Sequence, residues 1–333
     1  MPSRGRRQLL LSGVAAALGA AGCASPAPSA PFAAAAPAAL SPSARPGEAV
    51  ALAHGVYMVP GHAGAADESN LGRLGNTGFI VGELGVIVID TGTSYAQGQA
   101  LLATIRSVTP LPVRVALLTH TRPEFLFGGA AFREQGIPIR MHERNARLMA
   151  SRCETCLKTL RQTLGDAPMR GTVMYRPDQE YADSHRLDLA GRPVQVLYFG
   201  HSSGPGDVAL FDERSGVLFG GGLLDARRIP DIQDSDLAAW KTALQTLNLH
   251  KATTAVPGHG PAGPAARVMG GVQRYLEQLE ARVRSLLAAG SSLLDVPDAA
   301  ELPEFETWDQ YDLIHRRNAS IAFLRFEREL MFK

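Results

Sequence analysis

The sequence predicts an α/β chain in which two β-sheets pack against each other and helices cover their outer faces. Short β-rich runs alternate with amphipathic helical stretches from Val50 onward. Strands come first in adjacent antiparallel runs and then mix with helices, and this order occurs twice along the chain. The composition, with 45% hydrophobic and 20% charged residues, is that of an ordinary globular protein. We therefore expect a layered domain of two packed sheets with helices outside them.

The first 23 residues predict an export signal. Arg6-Arg7 precedes the apolar run Leu9 to Ala21, which gives the basic start and short apolar core of a signal peptide. The paired arginines are similar to those of a twin-arginine signal. Ala20-Ala21-Gly22-Cys23 resembles a lipoprotein cleavage box, with Ala20 where such boxes usually carry Leu. This predicts acylation of Cys23; cleavage after an Ala-rich step, with a soluble product, is the alternative.

Residues 24–48 predict a tether, because a run of almost only Ala, Pro and Ser cannot bury enough apolar surface to fold. Residues 49–333 then form one domain with a C-terminal helical extension. We expect a periplasmic protein whose only membrane attachment is the lipid on Cys23, because no later apolar run reaches about 18 residues. A net charge of +1 gives no indication of a nucleic-acid partner.

The elements of the body follow from local patterns. Residues 78–82 and 86–90 predict two strands of a hairpin that turns at Glu83-Leu84-Gly85. Apolar residues spaced by three and four predict a helix over 94–108. The same criteria predict strands over 113–119, 193–199, 208–212, 217–220 and 252–256. They predict further helices over 127–135, 144–164, 237–247, 265–289 and 307–330.

Four residues with coordinating or acid–base chemistry follow predicted strands: Asp90, His120, His201 and His259. The ends of neighbouring strands bring side chains together at one edge of a sheet. A single histidine at a strand end is most often structural. Three of them, together with an aspartate, predict a metal or catalytic site.

These strand ends resemble those of the metallo-β-lactamase superfamily, from about Val50 to Pro261. The resemblance implies an αββα sandwich of two mixed sheets with a site at one sheet edge. Within the superfamily the chain looks most like the quinoprotein relay system metallohydrolases, exported zinc-hydrolase-like proteins encoded beside quinoprotein alcohol dehydrogenases. The segments that carry this narrower resemblance are 71–92, 128–132, Cys153-Glu154-Thr155-Cys156 with 169–172, and His315-Arg316-Arg317-Asn318.

The metal-binding signature of that superfamily, His-x-His-x-Asp-His, is altered in this chain. The segment reads His120-Thr121-Arg122-Pro123-Glu124-Phe125, so the first histidine is kept. Arg122 replaces the second histidine, and a guanidinium has no lone pair to donate. Glu124 replaces the aspartate, and Phe125 replaces the last histidine and cannot coordinate.

The downstream ligand positions are also incomplete. His201 and His259 match the next two histidines, but Gly222 stands where the resemblance implies a bridging aspartate after Phe219-Gly220-Gly221. The first metal position then keeps His120 and His201, and the second keeps Glu124 and His259. A catalytic zinc normally has three protein ligands, so we do not expect a pair of zinc ions.

Two uses of the remaining residues stay open. His120, His201 and His259 could hold one zinc, with Glu124 as a fourth ligand or as a base for bound water. Alternatively Arg122 replaces the metal charge, pairs with Glu124 and fixes an anionic ligand, or this ion pair simply fills a disused site. We expect the protein to bind at most one zinc ion, and a protein without zinc is an equal alternative. Asp90, Arg122 and Glu124 are the candidate catalytic residues.

Cys153 and Cys156 form a CxxC motif without the second pair that a structural zinc site needs. After export, a disulfide between them is the expected state. A thioredoxin-like role is the alternative, but the surrounding βαβ pattern is missing.

The functional hypothesis is a weakly active or non-hydrolytic accessory protein. It would bind a small, anionic molecule in the setting of periplasmic quinoprotein alcohol oxidation. The alternative is a hydrolase with one metal ion that acts on an ester, thioester or lactone-like substrate. An antibiotic-cleaving β-lactamase is a third and more distant reading, because one fold supports many chemistries.

Overall fold

The computed structural model describes residues 48–332. The predicted export signal, Cys23 and nearly all of the predicted tether lie outside the described residues. The first sheet is ordered β1-β2-β3-β4-β5-β6-β7. Its strands are β1 (Val50–Ala53), β2 (Val56–Val59), β3 (Thr77–Val81), β4 (Val86–Ile89), β5 (Val113–Leu118), β6 (Ile139–His142) and β7 (Gln179–Tyr181). Neighbours from β1 to β4 are antiparallel, and those from β4 to β7 are parallel.

The second sheet is ordered β13-β12-β11-β10-β9-β8. Its strands are β8 (His185–Leu187), β9 (Val194–Tyr198), β10 (Val208–Asp212), β11 (Val217–Asp225), β12 (Thr254–His259) and β13 (Gly263–Pro264). β11 and β12 run parallel, and the other neighbours are antiparallel. Both sheets are therefore mixed.

Helices cover the outer face of each sheet. The first group is α1 (Tyr95–Val108), α2 (Pro123–Leu126), α3 (Gly129–Glu134) and α4 (Glu143–Leu164); the second is α5 (Leu237–Asn248), α6 (Ala265–Ala288), α7 (Val296–Ala299) and α8 (Arg316–Met331). In the part of the chain that the structure describes, no helix is both long enough and apolar enough to cross a bilayer.

Three apolar clusters hold these layers together. Strand β4 contributes to two of them. Ile87 and Ile89 belong to the cluster between the sheets, while Val86 and Val88 belong to the cluster beneath α1, α3 and α4. A third cluster joins the outer face of the second sheet to α5, α6 and α8, with Trp240 at its centre. A strand covered on both faces is apolar throughout, as this one is. The predicted αββα sandwich is confirmed.

Local signals fixed most element bounds. Ser94, predicted as the first residue of the helix, lies just before α1 and caps it by accepting a hydrogen bond from the Gln97 amide. The last helix departs from the prediction, since helical structure begins with a π-helix over Tyr311–His315, which continues into α8 at Arg316, rather than at residue 307. The Asp309 backbone instead bonds to Arg227 and Ile229, and Gln310 adopts a left-handed conformation with φ 63°. These tertiary contacts override the helical pattern. Six short strands (β1, β2, β6, β7, β8 and β13) were not predicted.

Candidate functional site

The site lies where strands of both sheets end. Asp90 follows β4 and His120 lies two residues after β5, and these strands are parallel neighbours. Asp225 ends β11 and His259 ends β12, again parallel neighbours, with the two residues in register. Each sheet thus presents one carboxylate and one imidazole at its edge, as the strand-end pattern predicts for Asp90, His120 and His259.

In the first sheet, Thr119 connects Asp90 to His120. The Thr119 amide donates to Asp90 Oδ1 at 2.8 Å, and Thr119 Oγ1 donates to Asp90 Oδ2 at 2.7 Å. Thr119 Oγ1 also lies 2.7 Å from His120 Nδ1. Because the hydroxyl proton points to Asp90, Nδ1 carries the proton shared with Thr119 and Nε2 keeps a lone pair. Burial raises the pKa of Asp90 to about 7, although the bonds from Thr119 oppose it.

His120 is fully enclosed, with 1% of its surface exposed. Its Nε2 atom is buried and has no hydrogen-bond partner among the described residues. Burial, followed by the nearby Arg122 charge, lowers the pKa of His120 well below 6.5. The ring is therefore neutral at physiological pH, with an unused lone pair.

In the second sheet, His259 lies between two carboxylates. Its Nδ1 is 2.8 Å from Asp225 Oδ1, and its Nε2 is 3.2 Å from Glu124 Oε1. Burial lowers the pKa of His259, but the charge and hydrogen bond of Asp225 and the bond to Glu124 outweigh it, so the pKa is raised. Burial alone would raise the pKa of Glu124, but its hydrogen bond and charge interaction with His259 and the charge of Arg122 lower it to about 2. Both imidazole nitrogens are thus engaged.

Phe125 fills the space between the two histidines. Its ring centre lies 4.1 Å from that of His120 and 5.1 Å from that of His259. The Thr91 amide donates to the Phe125 carbonyl at 2.7 Å, which holds α2 against the strand end. A Cβ on Gly75 would lie only 2.4 Å from the ring, so the wall opposite is shaped to fit it.

Arg122 binds Asp231 rather than the predicted partner Glu124. Arg122 NH1 lies 2.7 Å from Asp231 Oδ2, and Arg122 NH2 donates to the Asp231 carbonyl at 3.2 Å. Arg317 NH2 reaches the same Oδ2 at 2.6 Å. Glu124 points instead to His259, where it completes the pair of carboxylates. Burial raises the pKa of Asp231, but Arg122 and Arg317 dominate and bring it to about 2.

The sequence profile described as the metallo-beta-lactamase superfamily matches residues 71–259, more than half of the chain. The chain belongs to the metallo-β-lactamase superfamily. A type 2 metallo-β-lactamase of Bacteroides fragilis is 32% identical over 92 residues, 26% of this chain and 37% of that protein. A linear primary-alkylsulfatase of a Pseudomonas strain is 22% identical over 209 residues, 53% of this chain and 39% of that protein. These matches span about two fifths of the curated relatives.

Solved structures show the same fold. A metallo-β-lactamase from Pontibacter korlensis superposes with a TM-score of 0.56 at 23% identity, and covers 69% of this chain and 98% of its own. One from Hirschia baltica gives a TM-score of 0.55 at 17% identity, with 70% and 98% covered. At this identity the likeness concerns the fold alone.

The position where the superfamily resemblance implies a bridging aspartate is closed by a neighbour. A Cβ on Gly222 would lie 2.5 Å from Asp207 Oδ2 and 3.0 Å from His120 Cδ2. Asp207 is buried, accepts a 2.7 Å bond from Ser203 Oγ, and has its pKa raised mainly by burial. Asp207 was not predicted as a site residue, because it lies in the loop before β10 and does not follow a predicted strand.

His201, the third predicted metal ligand, contacts a backbone carbonyl. Its ring is exposed, and Nε2 is 2.6 Å from the Asp234 carbonyl oxygen. Across residues 48–332, no three His, Cys, Asp or Glu side chains are arranged so that they could hold a metal ion. Asp225 is the hydrogen-bond partner of His259.

The C-terminal motif His315-Arg316-Arg317-Asn318, for which no site role was predicted, holds a loop of this site in place. Asn318 Nδ2 donates to the Pro230 carbonyl at 2.7 Å, and its Oδ1 accepts from the Ile232 amide at 3.2 Å. Arg317, its neighbour, contacts Asp231 directly. α8 therefore fixes the loop that holds Arg122. The motif itself was visible in the sequence, but its target loop was not.

Cys153 and Cys156 lie on α4 and are free thiols in the structure. Cys153 is buried and Cys156 is partly exposed. The disulfide between them stays a prediction. Acylation of Cys23 also stays a prediction, because that residue lies outside the described range.

Proposed function

We propose that this chain is an exported metallo-β-lactamase-fold protein that does not hydrolyse with a pair of zinc ions. It acts as a binding or accessory protein in periplasmic quinoprotein alcohol oxidation. One observation carries the first part: Phe125 packs against both His120 and His259 and fills the space between them. The setting rests on the export-signal pattern and on the narrower resemblance.

The side chains present do not fit a dinuclear zinc centre. Arg122 is a permanent cation held by Asp231, and a dication beside it would be repelled. Gly222 offers no carboxylate, and Asp207 takes up the space into which one would extend. His259 has both nitrogens bound to carboxylates. No step of a zinc-hydroxide mechanism is therefore assigned to this chain.

An anionic small molecule is the ligand class that the charges favour. Arg122 and Arg317 share the single carboxylate of Asp231, so guanidinium donors remain beyond those that this carboxylate accepts. Their side chains are 29% and 44% exposed, so part of each side chain can be reached from solvent. A guanidinium offers paired donors that match a carboxylate, sulfate or phosphate group. Binding would place the ligand anion beside Asp231 at the edge of the site.

The test combines metal content with anion binding. Protein purified without chelators should contain far less than one zinc per chain by elemental analysis. Calorimetric titration with sulfate and with acetate should show binding that Arg122→Ala weakens at least about tenfold, the worth of one charged contact. Arg147→Ala is the matched control, because Arg147 lies on the exposed surface of α4, where it pairs with Glu143. Two zinc ions per chain, or equal binding in both variants, would contradict the proposal.

A hydrolase with one metal ion is the second candidate, and His120 is the reason. A buried nitrogen lone pair without a partner is costly, and a metal ion would satisfy it. This candidate predicts about one zinc per chain, with loss of both the zinc and any esterase activity in His120→Ala. Zinc near zero in the unaltered protein would exclude it.

A further inference from the structure

The CxxC motif of α4 pairs two thiols in unlike environments. Cys153 packs in the core beneath the first sheet and is 2% exposed. Cys156, one turn later on the same helix, lies at the edge of that cluster and reaches the surface. The two thiols are close enough for each to shift the pKa of the other. One sulfur is thus accessible to solvent, and the other is accessible mainly from its partner.

We propose that Cys153 and Cys156 form a thiol–disulfide exchange site, with Cys156 as the attacking thiol and Cys153 as the resolving thiol. The reaction partner is a disulfide-bearing molecule. This inference is independent of the proposed function, because neither a metal ion nor an anionic ligand takes part.

Helix geometry favours a reversible bond over a permanent one. Residues three apart on an α-helix have Cα atoms about 5 Å apart, which lies within the range that a disulfide allows. Their Cβ atoms, however, are about 5–6 Å apart, while a relaxed disulfide needs about 3.5–4.5 Å. α4 must therefore tighten locally to close the bond. Strained disulfides are reduced more readily than relaxed ones.

The environments assign the two roles. The contact with Cys153 lowers the pKa of Cys156 to about 7, although burial opposes it. The same contact, together with burial, raises the pKa of Cys153. Arg152 favours the thiolate at both positions, and Glu124 opposes it at Cys156. The exposed thiol is thus the one that ionises first, as an attacking cysteine requires.

The exchange balances without any other reagent. The Cys156 thiolate attacks one sulfur of the partner disulfide, so that a mixed disulfide forms and one thiolate leaves. Cys153 then loses its proton to solvent and attacks Cys156 Sγ, and the second partner sulfur leaves as a thiolate. The protein has lost two electrons and two protons, and the partner disulfide has gained them as two thiols.

The experiment uses the full chain with Cys23→Ser, which removes the third cysteine. The protein is equilibrated with mixtures of oxidised and reduced glutathione, quenched with a maleimide and analysed by peptide mass spectrometry. We expect a Cys153–Cys156 disulfide that forms and reverses across these mixtures. With Cys153→Ser, glutathione should accumulate on Cys156; with Cys156→Ser, Cys153 should react at least about tenfold more slowly.

Three outcomes would overturn the proposal: no intramolecular disulfide in any mixture, equal reaction of the two single variants, or a disulfide that excess reduced glutathione does not open. The last would indicate a static crosslink. If Cys153→Ser does not fold, Cys153→Ala tests the same step with an apolar side chain. Early time points of the Cys23→Ser chain also report which cysteine first carries glutathione.

Discussion

The two enclosed strand-end histidines of this site, His120 and His259, have opposite electrostatic environments. Both are almost fully buried, and each lies at the end of a strand beside a carboxylate. His120 makes one hydrogen bond, to a hydroxyl, and its pKa lies well below 6.5. His259 contacts two carboxylates, and its pKa is raised above 6.5. The same residue type therefore has its pKa lowered in one sheet and raised in the other.

The difference comes from how the neighbouring carboxylate reaches the ring. Asp225 touches His259 directly, whereas Asp90 is connected to His120 through Thr119. Burial lowers the pKa of both imidazoles, and only a carboxylate in direct contact outweighs it. Asp90 itself responds to burial, with its pKa raised to about 7. The Thr119 hydroxyl between Asp90 and His120 thus accounts for the opposite pKa shifts of the two histidines.

The largest effect on this pair should come from removing the ring between them. Phe125 is completely buried and contacts both histidines. Phe125→Ala should lower the free energy of unfolding by about 3–5 kcal/mol, because a cavity remains where the ring was. Chemical denaturation followed by circular dichroism measures this loss.

Phe332→Ala is the matched control for that substitution. Phe332 is 79% exposed near the end of the chain, so its removal should change stability by less than about 0.5 kcal/mol. A loss below about 1 kcal/mol in Phe125→Ala would show that the ring is loosely held. The two histidines would then have room to approach each other.

The next effect tests the direct carboxylate. Asp225→Asn keeps the shape but removes the charge beside His259, so the pKa of His259 should fall by about 1–3 and approach the behaviour of His120. Nuclear magnetic resonance titration of the histidine ring protons measures this change. Asp90→Asn is the control, because Asp90 bonds to Thr119 and should leave the pKa of His259 unchanged. An unaltered His259 in Asp225→Asn would refute the assigned cause.

The same variant should alter how stability depends on pH. The raised pKa of His259 gives a stabilisation that is complete below about 6.5 and is lost as pH rises through its folded pKa. The lowered pKa of His120 acts in the opposite sense, since stability falls as pH drops below about 6.5. Together the two rings favour a maximum near this pH. Asp225→Asn should flatten the alkaline side and steepen the acid side, because His259 with a lowered pKa then loses stabilisation as pH falls, as His120 does.

The sequence predicted three residues of this site, Asp90, His120 and His259, but not the residues that they contact. Asp90, His120 and His259 follow buried apolar runs, and parallel neighbours bring such residues to one edge. Asp207 and Asp231 lie in loops whose course depends on contacts with α4 and α8, so no periodic pattern marks them. Arg122 was expected to pair with Glu124, two residues away. In the structure Arg122 binds Asp231, in the loop that Asn318 holds, whereas Glu124 of α2 binds His259.

In the fold, too, some elements could be predicted from the sequence and others could not. Long amphipathic segments such as α4 and α6 were predicted to within a residue or two, because their apolar stripes match one sheet face. Short edge strands such as β7 and β8 have three residues each, too few for a pattern to emerge. Their position is set by the neighbouring strands rather than by local sequence.

The smallest effect concerns the loop that holds Arg122 beside His120. Asp231→Asn should cost about 1–1.5 kcal/mol at neutral pH, because two charge-assisted contacts are weakened and both arginines are partly open to water. The lowered pKa of Asp231 gives a stabilisation that is present above 3.8 and is lost as pH falls towards about 2. The acid decline in stability should therefore be shallower in Asp231→Asn.

Asp298→Asn supplies the comparison for this loop. Asp298 pairs with Arg316, but its side chain is 74% exposed, so its loss should cost less than about 0.5 kcal/mol. Urea unfolding of both variants at about pH 7 and about pH 3 separates the two cases. Equal costs, or an unchanged acid slope in Asp231→Asn, would mean that Arg122 is held by the fold of α2 alone. The positive charge beside His120 would then be independent of α8.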